Sequence, residues 1–268
     1  MNTFVITGAR IVTPDEVIDN GFLYVKKGII EAVEVVSCQR LHRSLNRIDG
    51  RGMWLLPGII NICDRSLEKE LAESNIPFDI AFTTVENILA DSGVTTVNHR
   101  LSYSYSRLED TSVEVKKLRK YSSIRHDYFT VPISENELSP YYHSKPKHDP
   151  ILYSCVNALD IMHTHTGFGR GLLTSTKAKP TTVLYSDAYP ISILYSIFTL
   201  VGSSGISMMD SVKLATLNPA RVLGIDRKLG SLEGGKIADL ILVRNINGIV
   251  MVEKVFVNGF KILEKRSL

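Results

Sequence analysis

The residues best equipped for chemistry lie in the second half of the chain, where His163-Thr164-His165 is followed further along by Asp187. Alternate residues on a strand share a face, so two imidazoles two positions apart can reach one ion. The pair follows the apolar run Leu159 to Met162, which places it at a strand end. Asp187 follows another apolar run, Thr182 to Tyr185, and precedes a turn at Pro190. Blander roles fit the same residues: two loop histidines bonded to backbone, and an N-cap for a helix starting near Pro190. Gly167-Phe168-Gly169-Arg170-Gly171 comes directly after the histidines. Gly167 and Gly169 let backbone N–H groups approach an anion, and Arg170 can fork onto a phosphate. A tight flexible loop is the equal alternative. His99 ends a strand, whereas His143 and His148 fall in a Pro-bearing loop where solvated side chains are the default.

Positioning these groups falls to a middle region that alternates short apolar strands with helical periods. Ile59 to Cys63, Val94 to Val97, Tyr128 to Ile133, Ile151 to Val156, Leu159 to Met162 and Thr182 to Tyr185 read as strands. Helices are expected over Pro77 to Asp91, with Ile80, Thr84 and Ile88 marking the period and Val85 and Leu89 beside them, and over Ser106 to Tyr121, Ile191 to Val201 and Met208 to Leu217. Asn218-Pro219 opens one more helical turn through Leu223. Such alternation predicts a parallel sheet with right-handed crossovers.

Both chain ends read differently. Residues 3–50 carry β-rich runs interrupted by Gly8, with a hairpin at Lys27-Gly28. Ala238 to Val243, Ile249 to Val257 and Phe260 to Leu263 answer them, joined at Asn247-Gly248 and Asn258-Gly259. Neither half has enough strands to bury its own face, so one β-sandwich built from both termini is expected.

Three stretches resemble the amidohydrolase superfamily: Trp54-Leu55-Leu56-Pro57-Gly58-Ile59-Ile60, Leu229-Gly230 through Ala238-Asp239-Leu240-Ile241-Leu242, and Val255-Phe256-Val257-Asn258-Gly259. Finer strings are similar to its α-D-ribose 1-methylphosphonate 5-triphosphate diphosphatase branch: Asp49 to Gly58, Ser66-Leu67-Glu68-Lys69, Tyr185-Ser186-Asp187-Ala188-Tyr189-Pro190 and Ala215-Thr216-Leu217-Asn218-Pro219-Ala220. The resemblance covers roughly residues 1–100 and 155–268.

It implies an α/β fold: a TIM-type (β/α) barrel over 57–230, incomplete or distorted, beside a composite β-sandwich domain of 1–56 and 231–268. From Pro57 to Gly230 is 174 residues, against about 250 for a closed eight-stranded barrel, so two or three β-α units are expected to be missing. The implied activity is metal-dependent hydrolysis in phosphonate catabolism, releasing pyrophosphate from a ribose 5-triphosphate derivative. Asp187 matches the metal-binding carboxylate that takes the attacking water's proton, and His165 a histidine near the seventh strand. His163, His165 and Asp187 would hold a divalent metal, zinc or manganese. The first strand departs from the pattern, with Cys63 for the expected His and Arg65 for the expected Asp. A cationic guanidinium binds no metal, so the alternative is a paralogue without metal or catalysis, serving as a binding or scaffold protein.

Bulk properties narrow the rest. A net charge of +3, with both signs mixed along the chain, argues against a nucleic-acid partner. The three cysteines are odd in number and widely spaced, as free thiols in a reducing compartment would be. The start lacks the features of a secretion signal and no apolar run spans a bilayer. A cytoplasmic protein is expected, with a phosphorylated small-molecule substrate, no membrane partner, and an open sheet edge that favours a homo-oligomer.

Overall fold

The computed structural model describes residues 2–35, 46–73, 76–102, 122–131, 155–157, 182–186 and 189–265. They form a mixed α/β fold. The chain starts with β1 (Phe4–Val12), β2 (Val17–Lys26), β3 (Ile29–Val35), β4 (Asn46–Asp49) and β5 (Trp54–Pro57). It ends with β11 (Leu240–Ile246), β12 (Ile249–Val257) and β13 (Phe260–Glu264). Instead of the two stacked sheets expected, these eight strands share one hydrogen-bonded sheet in the order β13-β12-β11-β5-β1-β2-β3, with β4 also on β1. The physical reason is β5. It pairs in parallel with β1 through Trp54 and Leu55, and antiparallel with β11 from Trp54 to Pro57.

This sheet folds back on itself. Phe4 of β1 and Phe256 of β12 stack with ring centroids 5.0 Å apart, although β5 and β11 lie between those strands in the sheet order. Neighbouring strands are spaced about 4.8 Å apart, so a flat sheet would hold the rings far out of contact. Ile6, Leu23, Val25, Ile30, Leu55, Leu240 and Leu242 fill the enclosed core.

The turns obey their sequence. Lys27-Gly28 and Asn247-Gly248 have both central residues at positive φ, as a type I′ turn demands. Gly28 has a second duty, because a Cβ there would sit 2.4 Å from the Asn258 carbonyl oxygen in the β12–β13 turn. Gly8 does not split β1 into two strands as expected; it marks a register shift between Thr7 and Ala9 within one continuous strand.

The middle of the chain supplies β6 (Ile59–Asp64), α1 (Ser66–Glu73), α2 (Phe78–Asp91), β7 (Val94–Ser102), β8 (Arg125–Val131), β9 (Cys155–Asn157) and β10 (Val183–Tyr185). Three more helices follow: α3 (Ile191–Ser204), α4 (Met208–Ala215) and α5 (Leu217–Val222). Strands β6-β7-β8 form one parallel sheet and β9-β10 a second parallel pair. Helix α1 was not anticipated as a separate element. Helix α2 forms where expected, and Val85 and Leu89 of the expected face are buried together with Ala81 and Phe82, while Ile80 and Ile88 are 51% and 45% exposed. Packing selected the side carrying Phe82. The expected helix over 106–121 and the strand over 159–162 lie outside the described residues.

Asp239 fastens the two regions together. Its carbonyl accepts the Gly58 N–H at 2.9 Å at the start of β6. One carboxylate oxygen accepts the Asn258 N–H at 2.9 Å, and the other pairs with the Arg125 guanidinium at the start of β8. The carboxylate is 4% exposed, and breaking a buried pair by removing one partner costs about 3–5 kcal/mol. Asp239→Ala should therefore lower unfolding free energy by about that much in urea titration. A loss below about 0.5 kcal/mol would mean this junction is not what couples the sheets.

A smaller acid-sensitive term sits on β13. Hydrogen bonds from Lys254 and Lys261 hold the Glu264 carboxyl down from 4.5 to about 2. With its folded value below its unfolded one, the stability it lends is present above about pH 4.5 and is lost as pH falls through about 2. Glu264 and Lys261 are exposed and screened, hence the interaction is worth under about 1 kcal/mol. The stability gap between the parent and Glu264→Gln should close over that window in acid titration of the unfolding midpoint. A gap that persists at pH 2 would point to packing instead.

Candidate functional site

In a parallel α/β sheet, residues near the C-terminal ends of strands are the ones a ligand meets. Among the described residues, a line of buried polar side chains crosses three strands, with Asn61 and Asp64 in the middle and at the end of β6, His99 on β7 and His126 at the start of β8. Register explains the grouping. Asn61 pairs with Val97, Asp64 with His99, and Val97 with His126. Val97 and His99 are two apart on β7, so all four polar side chains share one face of the sheet. The shift in pairing between Asn61 and Asp64 is what keeps Asp64 on that face.

Asp64 is fully buried and held by donors from its own loop. The Asn61 amide donates to it at 2.8 Å, the Ser66 N–H at 3.1 Å and the Ser66 hydroxyl at 3.0 Å. His99 Nδ1 faces Asp64 Oδ1 at 3.4 Å, close enough for electrostatic attraction but off the line of a hydrogen bond. His99 Nε2 lies 2.8 Å from His126 Nδ1, and the two rings are stacked within 16°. Phe82 of α2 lies against the His126 ring at 4.6 Å. The result is a carboxylate–imidazole–imidazole line closed over by an aromatic ring.

Asn61 has a further task. Its Oδ1 accepts the Ser186 N–H at 3.0 Å and its Nδ2 donates to the Ser186 carbonyl at 2.8 Å. A side-chain amide thus stands in for a strand edge and joins β6 to the end of β10. Ser186 Oγ in turn accepts the Tyr189 N–H at 2.9 Å, fixing the turn that leads to α3.

At the exposed border of this cluster, Arg65 Nε donates to Glu68 at 3.2 Å. Lys69, one helical turn on, donates to the Tyr189 hydroxyl at 3.3 Å and lies 4.9 Å from that ring's centroid. Arg65 therefore sits where the sequence resemblance implies a ligand carboxylate, and it is an exposed cation.

Does this arrangement suit a divalent metal? Zinc needs ligand atoms about 2.0–2.1 Å from one shared point. Here the ring nitrogens of His99 face two different neighbours, and the 2.8 Å gap to His126 is filled by their own contact. Among the described residues, no three His, Cys, Asp or Glu side chains converge on one point. The polar line across β6, β7 and β8 does not fit a metal.

The other sequence candidates are placed differently. His163, His165, Gly167, Gly169, Arg170 and Asp187 all lie outside the described residues, as do His143 and His148. Of the histidines singled out, His99 is the one brought into the cluster. Asn61, Asp64 and His126 were missed. Asn61 was the legible signal, a polar residue in the middle of an otherwise apolar strand; His126 was lost because β8 starts three residues before the predicted strand.

Residues 186–261 match the amidohydrolase family. That stretch begins at the Ser186 clamp and runs through α3, the Asp239 junction and β11–β12. An imidazolonepropionase from Picrophilus torridus is 37% identical over 95 residues, 31% of this chain and 24% of that protein. Adenine deaminase 4 of Rhizobium meliloti is 34% identical over 77 residues, 29% of this chain and 13% of that protein. The chain thus spans no more than 24% of the length of either relative. The crystal structure of molinate hydrolase superposes over 97% of this chain and 94% of its own, with a TM-score of 0.67 at 12% identity. At that identity the likeness shows a shared fold. No helix among the described residues is long and apolar enough to cross a membrane.

The clamp offers a direct check. Asn61→Ala would leave the Ser186 N–H and carbonyl buried without their partner, and unmet buried groups cost about 1–3 kcal/mol each. Unfolding free energy should fall by about 2–6 kcal/mol, with faster hydrogen exchange at the Ser186 amide. Unchanged exchange there would show that β6 and β10 are joined by other means.

Proposed function

We propose that this chain is a hydrolase-like protein of the amidohydrolase superfamily whose ligand is a phosphorylated small molecule. The observation that carries this reading is the family match over 186–261, which begins one residue before Asp187, the position that the resemblance gives to the reactive carboxylate. In the finer form of the reading, the two parallel sheets are arcs of an incomplete (β/α) barrel over 57–230, beside a composite domain of 1–56 and 231–268. The substrate is a ribose 5-triphosphate derivative of phosphonate catabolism, cleaved by water with loss of pyrophosphate. His163, His165 and Asp187 hold a zinc or manganese ion, and Gly167, Gly169 and Arg170 take a phosphate. The protein works in the cytoplasm as a homo-oligomer. The motif strings support this branch; the names of the matched relatives, a deaminase and an imidazolonepropionase, point to other substrates.

A specific observation favours a second reading, a non-catalytic binding or scaffold protein. The polar line across β6, β7 and β8 bonds largely within itself, Asn61 to Asp64 and His99 to His126, and a cation replaces a ligand beside it.

One pair of measurements separates the two. Elemental analysis of freshly purified protein should find about one or two zinc or manganese ions per chain, and ribose triphosphates should release pyrophosphate. Asp187→Asn should abolish turnover and reduce bound metal. Absence of both metal and turnover in the parent protein would remove the hydrolase reading and leave the binding one.

A further inference from the structure

We propose that the cleft between β4 and β13 is a binding site for a small aromatic anion, a planar ring carrying an acidic group, which stacks on Phe260 and pairs with Arg47. The site belongs to the sheet built from both chain ends and stands apart from the hydrolase reading.

The cleft follows from the way the sheet folds back. Strand β4 pairs with β1, and β13 with β12. Phe4 of β1 and Phe256 of β12 stack across the core, which brings β4 and β13 to opposite sides of one opening. Among the described residues the two strands do not pair with each other: β13 ends the strand order, and β4 is bonded to β1. A space of about 530 Å³ is left between them, with residues of β4 on one side, residues of β12 and β13 on the other, and Phe4 and Phe256 in its wall. That volume falls within the range of about 300–1,000 Å³ usual for small-molecule sites. Both walls are fixed by pairing, Arg47 through Val5 and Phe260 through Val257, so the cleft is formed before a ligand arrives.

Phe260 supplies the ring-binding surface. It is 56% exposed, whereas Phe4 and Phe256 are buried. A phenyl ring lining a cleft and still open to water is apolar area that a planar ligand covers, and offset or edge-to-face stacking adds to that gain.

The charge at the cleft is positive. Its lining holds three cations, Arg47, Lys254 and Lys261, against two carboxylates, Asp49 and Glu264. Glu264 is shared by both lysines. Asp49 is engaged by Arg51, a further cation, at 2.6 and 3.0 Å. Arg47 remains. It is exposed, and among the described residues no hydrogen bond or ion pair engages it. A guanidinium so placed keeps its paired N–H groups for two oxygens of an acid. Open ring and open cation together set the ligand class: an acid without a ring leaves Phe260 uncovered, and a ring without an acid leaves the excess charge unmatched.

The test is a fluorescence titration of the full chain with anilinonaphthalene sulfonate, using naphthalene sulfonate and inorganic sulfate as competitors at matched ionic strength. Saturable binding near one per chain is expected, displaced by naphthalene sulfonate at concentrations where sulfate has little effect, and weakened by added salt. Phe260→Ala should weaken it about tenfold. Arg47→Gln should weaken it about fivefold, with Arg47→Lys recovering part of the loss. Ile249→Ser removes another exposed apolar side chain, about 23 Å along β12 from Phe256, and should change nothing. Circular dichroism and melting like the parent's would show that each variant folds. Four outcomes overturn the proposal: no saturable binding, sulfate competing as well as naphthalene sulfonate, weakening by Ile249→Ser, or indifference to either Phe260→Ala or Arg47→Gln. Absence of metal and turnover in a protein that still binds the probe in this way removes the hydrolase reading alone.

Discussion

Asp239 is the constraint on which the rest of the structure depends. A sheet assembled from both ends of a chain pays the entropy of closing a loop of more than 180 residues before any contact rewards it. Something must hold the closure in register. Asp239 does so at the point where three segments meet: the start of β6, the start of β8 and the β12–β13 turn. A carboxylate suits the position because it accepts from several donors at once, and the half-buried Arg125 guanidinium beside it compensates its charge. The packed glycines of the two turns bring the strands close enough for these bonds to form.

From that junction, parallel pairing carries the register upward to the polar cluster. Residues opposite one another in a parallel sheet present their side chains to the same face. Once Gly58 and Arg125 are set by Asp239, the line of Asn61, Asp64, His99 and His126 follows from counting along three strands. Gly58 enforces the approach, since a Cβ there would lie 2.2 Å from the Thr95 hydroxyl. The cluster then bonds largely within itself, while the buried His99 Nδ1 is left without a hydrogen bond.

Local chemistry was legible in the sequence wherever it is decided within a few residues. The I′ turns at Lys27-Gly28 and Asn247-Gly248, the helix over Phe78–Asp91 and the extra turn after Asn218-Pro219 follow from φ preferences and short-range periodicity. Arg65 was legible for the same reason, because a side chain that is always cationic excludes a metal wherever it sits. The face of α2 was legible only in part: Val85 and Leu89 are buried as expected, whereas only the sheet beneath decides that Ala81 and Phe82 join them and Ile80 and Ile88 do not.

By itself, then, the sequence determined the α/β alternation, the β-rich ends, the tight turns and the charge at position 65. Tertiary structure alone decided that the two ends form one continuous sheet, because β5 has an edge to offer on both sides and only closure brings β1 and β11 to it. It also decided that Asn61, Asp64, His99 and His126 belong together. Those residues come from three strands, and their proximity is a consequence of pairing register, a long-range quantity that no local pattern encodes.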